Sequence, residues 1–389
     1  MIKNKFNIII FIKYSIIIIT SLFIGLFSIE ALLVNNSLIN KNLIQYSSDK
    51  SKNFDNRNIQ QVYNDLSKDY DNVVPVIFPY HVSKTSKTLV PLSSISNKKT
   101  IYCNETGEWL IYDSDRYGFN NNDSRWDKDE LEFIIIGDSF AHGACVKREK
   151  NISSFLEKLS NKHALNLGFG GNGPLMSYSS LKEYFKKSKN IIYLYYEGND
   201  LHNLKYELKN KILKSYFDDE NFSQNLKKKQ SEIDRLLIEF IDLEDKYRLT
   251  DYKSKKKSFK QKIDTILKFK RLKHIIKPRN FQYSEQKELI EFEILLKKFK
   301  KFSENNNANF YFVYLPEYYR FLDINRFSHL EKLEKLSKKN GIEFIDINAL
   351  LFENKNNPKK FFPFEKFGHY NEEGYFEIAN IIYNISSKK

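Results

Sequence analysis

From about residue 131 onward, apolar residues fall into short unbroken runs separated by helix-spaced stretches. Residues 133–136, 191–196 and 309–315 are continuous, rich in β-branched and aromatic side chains, and too short for buried helices. Residues 164–167 form a further short strand, and residues 343–347 another. Strands that are apolar on both sides belong to a parallel sheet covered on both faces. Between them, Phe155, Leu156 and Leu159 mark one helix, residues 175–187 a second, and residues 372–385 a last amphipathic one. This alternation predicts an α/β domain. Residues 201–280 interrupt it: they are Lys-rich, with Ile233, Leu236, Leu237, Phe240 and Ile241 at helical spacing, and predict an inserted helical lid.

The N-terminal pattern is different. Residues 14–33 are apolar on every face until Glu30, and about 20 such residues cross a bilayer. Lys3, Lys5 and Lys13 favour a cytoplasmic N-terminus. Ser28-Ile29-Glu30-Ala31 is a poor cleavage site, which favours a retained anchor over a cleaved signal peptide. The expectation is a single-pass protein of the inner (cytoplasmic) membrane whose main domain is extracytoplasmic, and periplasmic in a Gram-negative cell. Residues 35–75, rich in Asn, Ser, Lys and Gln, read as a tether between the anchor (1–34) and a domain spanning 76–389. Residues 76–131 are irregular with short strand-like runs, and residues 114–121 are turn-like.

The net charge of +14 raises the question of a nucleic-acid partner. Most basic residues are lysines scattered beside Glu and Asp, without an Arg-rich stripe, so a solvated surface is the better reading and no nucleic acid is expected. Cys103 and Cys145 lack metal-ligand spacing; a single disulfide and two buried thiols both remain open. His142, His163 and His329 show no ligand spacing and read as surface or packing residues. No metal or cofactor is expected.

Four segments carry chemistry. Gly137-Asp138-Ser139-Phe140 ends the first large strand in a sharp turn that exposes a serine at a helix start. Residues 166–174 (Asn-Leu-Gly-Phe-Gly-Gly-Asn-Gly-Pro) form a glycine-rich turn able to bring a backbone N–H, that of Gly171, against a substrate oxygen. Gly198-Asn199-Asp200 offers the Asn199 amide to the same oxygen. Residues 367–375 place His369 just before the last helix, as a base for the serine. In an open parallel sheet such groups gather beyond the carboxyl ends of the strands.

These segments resemble the conserved blocks of the SGNH/GDSL hydrolases, over roughly residues 131–385 less the helical insert. The strings GDSFAHGACV, NLGFGGNGP, YYEGNDL and FPFEKFGHYNEEGY are similar to a bacterial subgroup tied to acylation or deacylation of surface glycans. The resemblance implies a three-layer α/β/α sandwich with a flavodoxin-like parallel sheet. It also implies Ser139 as nucleophile, His369 as base, and the N–H groups of Ser139 and Gly171 with the Asn199 side chain as the oxyanion hole. The expected activity is ester hydrolysis or O-acyl transfer on an acylated, chiefly O-acetylated, carbohydrate or another small ester. Two positions depart from the family pattern. Glu197 stands where a glycine is usual, and Lys366 replaces the aspartate that orients the histidine, leaving Glu365, Asp346 or a backbone carbonyl for that role. A non-catalytic glycan-binding or assembly protein is therefore the alternative. A lesser alternative is a dinucleotide site built from Gly168, Gly170 and Gly173 with Glu197. The Tyr-rich residues 314–320 suit either a sugar site or core packing.

Overall fold

The computed structural model describes residues 2–39, 54–84, 86–252, 263–264, 266–269, 272, 286–322, 329–353 and 355–388. They divide into two units: residues 1–52 with 243–283, and residues 53–242 with 284–389.

The first unit is built on the helix Ile2–Ile39. Its segment Ile12–Leu32 is long and apolar enough to cross a membrane, and its large side chains are mostly exposed. The one acid in this segment is not left bare: the Glu30 carboxylate accepts the Leu272 N–H at 2.6 Å. Phe27 packs on Phe269 with ring centres 4.5 Å apart.

The second unit centres on five parallel strands, β4 (Leu131–Gly137), β5 (Ala164–Asn166), β6 (Ser188–Tyr196), β7 (Asn309–Leu315) and β8 (Glu343–Asp346), in the order β5-β4-β6-β7-β8. Taken in chain order within this sheet, that is 2-1-3-4-5, the flavodoxin-like arrangement. Alternation along each strand feeds two cores. Ile134 and Ile136, with Ile191, Tyr193 and Tyr195, pack on one face beneath the helices Pro174–Tyr184 and Gln286–Asn305. Phe133 and Ile135, with Ile192, Leu194 and Tyr196, pack on the other beneath Ile152–Ser160 and Glu372–Ser386. Each such buried side chain contributes about 1.5–3 kcal/mol. The three-layer α/β/α architecture follows from this two-sided burial.

Before this sheet in the chain lies a smaller one of three strands, β1 (Val73–Pro75), β2 (Lys99–Ile101) and β3 (Ile111–Asp113), with β1 parallel and β3 antiparallel to β2. Part of the stretch read by composition as a tether is therefore folded. The helix Ile59–Leu66 begins with a reciprocal cap between Asn58 and Gln61 and buries Val62 against Val73 and Ile101. Residues 40–53 of that stretch lie outside the described residues.

Where it is described, the helical insert packs onto the sheet layer. Leu204, Leu213, Tyr216, Leu226, Ile233 and Leu237 are buried within the first of the two cores. The helices Asp200–Glu207 and Lys211–Asp218 thus thicken one layer of the sandwich. Residues 253–262 and 273–280 of the insert lie outside the described residues.

Candidate active site

Strand β4 has β5 on one side and β6 on the other, so successive connections leave it in opposite directions. The crevice at the carboxyl ends of these strands is the position where open α/β sheets bind ligands. Three of the four chemical segments end there by topology: Ser139 after β4, the glycine turn after β5, and Asn199 after β6.

Ser139 opens a one-turn helix, Ser139–His142, capped by the Asp138 carboxylate, which accepts the Phe140 N–H at 2.8 Å. The glycine turn is pressed against this helix. A Cβ on Gly168 would come within 2.4 Å of the Ala141 Cβ and 2.9 Å of the His142 N. Gly171 has φ +80°, in the region that favours glycine, and its N–H makes no hydrogen bond among the described residues.

His369 comes from the loop before the last helix, and its Nε2 lies 2.8 Å from the Ser139 Oγ. Its ring packs on Phe140, 4.7 Å between centres, and Phe140 stacks on Tyr196 at 4.0 Å. The next residue, Tyr370, anchors the loop by donating its hydroxyl hydrogen to the Pro316 carbonyl.

The partner of the other ring nitrogen is Glu105, which none of the sequence expectations included. Both its carboxylate oxygens lie 3.1 Å from the His369 Nδ1, and one of them accepts the His369 backbone N–H at 2.6 Å. Gly368 makes room for this approach: a Cβ there would stand 2.7 Å from a Glu105 oxygen. Burial works against the imidazolium, but the Glu105 carboxylate prevails and raises His369 above the ordinary histidine value. Burial likewise opposes ionisation of Glu105, and the His369 ring outweighs it, holding the carboxyl below its usual value. An ionised carboxylate only accepts hydrogen bonds, so Nδ1 carries the proton and Nε2 is left bare toward the serine.

The residues expected to orient His369 are occupied elsewhere. Asp346 accepts the N–H groups of Asn348 and Ala349 at the end of β8. The Glu365 carboxylate accepts from the Asn357 amide at 3.0 Å. Nor does a backbone carbonyl replace them: the orienting acceptor is a carboxylate from the connection between β2 and β3.

That connection is braced from several sides. Cys103 forms a disulfide with Cys145, which lies just past the serine helix. The Thr106 hydroxyl donates to the Cys145 carbonyl at 3.2 Å, and the Asn104 amide to the Asp55 carbonyl at 2.9 Å. The Cys145 sulfur stands 4.0 Å from the His369 Nδ1. Being bonded to Cys103, it offers no thiolate, so the trio Glu105, Cys145 and His369 lacks the donor set of a metal site.

Behind the serine lies a buried acid pair. Asp138 and Asp200 are both fully buried; burial raises the pKa of each, and their mutual repulsion raises Asp200 further. Asp200 accepts the Tyr193 hydroxyl and the Tyr196 N–H, each at 3.1 Å. The Asn199 side chain favours the ionised Asp138 carboxyl against the effect of burial. A carboxamide has two N–H donors that can serve a substrate oxygen.

Glu197, at the usual glycine position, is buried and bidentate with Arg320, at 3.0 Å from the Arg320 Nε, and also accepts the Glu317 N–H at 3.0 Å. It ties the exit of β6 to that of β7 and is not free for a ribose. The three glycines of the dinucleotide pattern are accounted for by contacts within the protein: Gly168 faces Ala141, Gly170 faces Tyr102 and Phe78, and Gly173 faces Asn203 and Glu207. The Tyr-rich stretch mostly packs. Tyr314 is buried against Arg320, and Tyr318 donates to the Glu365 carbonyl. His142 is fully buried and stacked on Tyr102 at 4.4 Å, while His163 is half-buried beside Glu157.

The fold and the site together define a three-layer α/β/α protein with a serine–histidine–carboxylate constellation. No family model matches the sequence, and no curated protein matches it. Among solved structures, the chain is similar to a lipolytic protein of the G-D-S-L family from Desulfitobacterium hafniense, at 12% identity and TM-score 0.35, covering 66% of this chain and 99% of that one. It is similar to an acetyl xylan esterase at 11% identity and TM-score 0.36, covering 66% and 99%. A psychrotrophic esterase from Pseudoalteromonas sp. shows 11% identity and TM-score 0.31, covering 67% and 98%. At these scores the fold rests on the sheet order and the two-sided core described above.

Proposed function

We propose that this chain is an ester hydrolase or O-acyltransferase held to a membrane by its N-terminal helix, with its catalytic unit on the extracytoplasmic side. It would act on O-acyl groups, chiefly O-acetyl, of a surface glycan. The observation that carries the reading is the 2.8 Å contact between the Ser139 Oγ and the His369 Nε2, with Nδ1 turned onto Glu105. In the first step the Ser139 Oγ attacks the ester carbonyl while its proton passes to Nε2. The N–H groups of Ser139 and Gly171 and the Asn199 amide stabilise the oxyanion. Collapse breaks the carbon–oxygen bond, and the proton on Nε2 goes to the leaving alkoxide, leaving an acyl-serine. In the second step His369 deprotonates water, or a sugar hydroxyl, which takes the acyl group and regenerates the serine.

A non-catalytic role rests on the lack of an orienting acid, and the contact between Glu105 and the His369 Nδ1 supports the catalytic reading instead. The test is hydrolysis of p-nitrophenyl acetate by the full chain in detergent, alongside labelling with a fluorophosphonate. Both are expected, and both are expected to vanish in Ser139→Ala. Turnover or labelling that survives this substitution would overturn the assignment. Adding O-acetylated oligosaccharide donors with unacetylated acceptors separates transfer from hydrolysis.

A further inference from the structure

Beside the glycine turn runs an open groove of about 710 Å³, lined by Tyr80, Lys84, Lys87, Tyr206, Lys209 and Lys211 among others. Its volume suits a ligand of drug or oligosaccharide size. It adjoins the proposed oxyanion hole: a Cβ on Gly171 would lie 3.4 Å from the Tyr80 Cβ. All four lysines are exposed, and none forms an ion pair with a carboxylate among the described residues. Neighbouring lysines do: Lys205 pairs with Glu288 and Lys214 with Asp218. Lys84 and Lys209 instead lie over the rings of Tyr80 and Tyr206, 4.0 and 4.8 Å from their centres. The acid in the groove wall, Glu207, is buried and accepts the N–H groups of Gly173 and Leu175 at 2.6 and 2.9 Å. Burial pushes its carboxyl up to about 7, so it opposes the lysines weakly.

We propose that this groove binds an anionic polysaccharide, a chain bearing carboxylates along its length, and feeds its ester groups to Ser139. The proposal rests on the reading of Ser139 as nucleophile and deepens it by naming the substrate class. Lys205 and Lys214 beside the groove are held in ion pairs, and exposed pairs of this kind contribute little. Four ammonium groups with no carboxylate partner among the described residues create, along one groove, a local positive field that a repeating carboxylate matches and a neutral glycan does not. The aromatic side chains beside them offer apolar edges for pyranose rings.

The test uses de-esterified polygalacturonate and neutral xylan as inhibitors of p-nitrophenyl acetate hydrolysis by the full chain. Polygalacturonate should inhibit, less so as salt rises, and xylan should not. The combined variant Lys84→Gln, Lys87→Gln, Lys209→Gln and Lys211→Gln should raise the inhibition constant about tenfold, as the summed loss of four weak exposed pairings predicts. Its kcat/KM for p-nitrophenyl acetate should be unchanged. Equal inhibition of the variant would overturn the proposal by assigning binding to diffuse charge. So would stronger inhibition by phosphatidylglycerol vesicles than by polygalacturonate, since the groove would then face a lipid surface. Calorimetric binding of polygalacturonate to Ser139→Ala, with and without the lysine changes, reads the groove independently of turnover. The groove and the chemistry therefore fail separately.

Discussion

Replacing Glu105 by alanine and by glutamine should give opposite rankings from those expected of a conservative change. Alanine removes a charge-assisted hydrogen bond to the His369 Nδ1, a contact that contributes about 1.5–3 kcal/mol. At one decade per 1.36 kcal/mol, kcat/KM should fall about 10- to 150-fold. Glutamine should be worse. One Glu105 oxygen is committed to the His369 backbone N–H at 2.6 Å, and only the amide oxygen can take that place. The amide nitrogen is then left 3.1 Å from Nδ1, pointing hydrogens at it, while the amide oxygen, also 3.1 Å away, is shared with the backbone N–H. The ring is thereby biased toward the tautomer with its proton on Nε2, which cannot accept from Ser139. A wrong tautomer in a serine triad lowers kcat by about 10⁴. The pH dependence supplies a second readout. His369 must be neutral to act, and Glu105 raises its pKa, so losing the carboxylate lets burial dominate and moves the acidic limb of kcat/KM to lower pH. Steady-state hydrolysis of p-nitrophenyl acetate across pH measures both effects. A glutamine variant as active as the alanine variant, or an acidic limb that stays put in alanine, would refute the reasoning.

Three further outcomes follow from the same geometry. Cys103→Ser with Cys145→Ser should lower kcat/KM by about tenfold, one decade per 1.36 kcal/mol, and shift the acidic limb in the same direction as Glu105→Ala. The loss should be smaller because Thr106 and Asn104 still brace the loop, and adding the cysteine changes to Glu105→Ala should cost little more. His142 is buried with both ring nitrogens unpartnered, and burial depresses it to about 3. The unfolded chain takes up that proton near the ordinary value, so stability should fall by about 1.4 kcal/mol per pH unit as pH drops below about 6.5. Denaturant titrations of His142→Phe should show that slope flattened. Asp115 accepts the N–H groups of Tyr117 and Phe119, the Asn121 amide and the Trp126 indole, all within 2.9 Å. Asp115→Ala should cost about 3 kcal/mol or more by stranding buried donors, lowering Tm by about 6–12 °C.

Much of this site is legible before any coordinates. The continuous runs at 133–136, 191–196 and 309–315 mark the central strands, because burial on both faces leaves no room for polar alternation. Ser139, the glycine turn and Asn199 follow strand ends directly, so local pattern and chemistry coincide there. Glu105 is different. It lies among irregular residues, and nothing in Cys103-Asn104-Glu105-Thr106-Gly107 says which ring nitrogen it meets 264 positions later. Only tertiary closure of the small sheet creates that contact. The two cysteines pose the same problem, since two thiols without geometry are equally consistent with a bond or none. Glu197 stands out as a departure from glycine, but its half-buried partner Arg320 follows a different strand. Within the insert, helical spacing reports an apolar face without naming what covers it.

The order of the proposed reacting groups along the polypeptide, carboxylate then hydroxyl then imidazole, has a practical corollary. A truncated product starting at β4 would keep the entire main sheet, the hydroxyl and the imidazole, and would look complete by motif. It would nonetheless have been cut away from its own third member, along with the covalent staple that secures it. Any expression boundary for this protein belongs upstream of Asp55, where the strut supporting the acid begins.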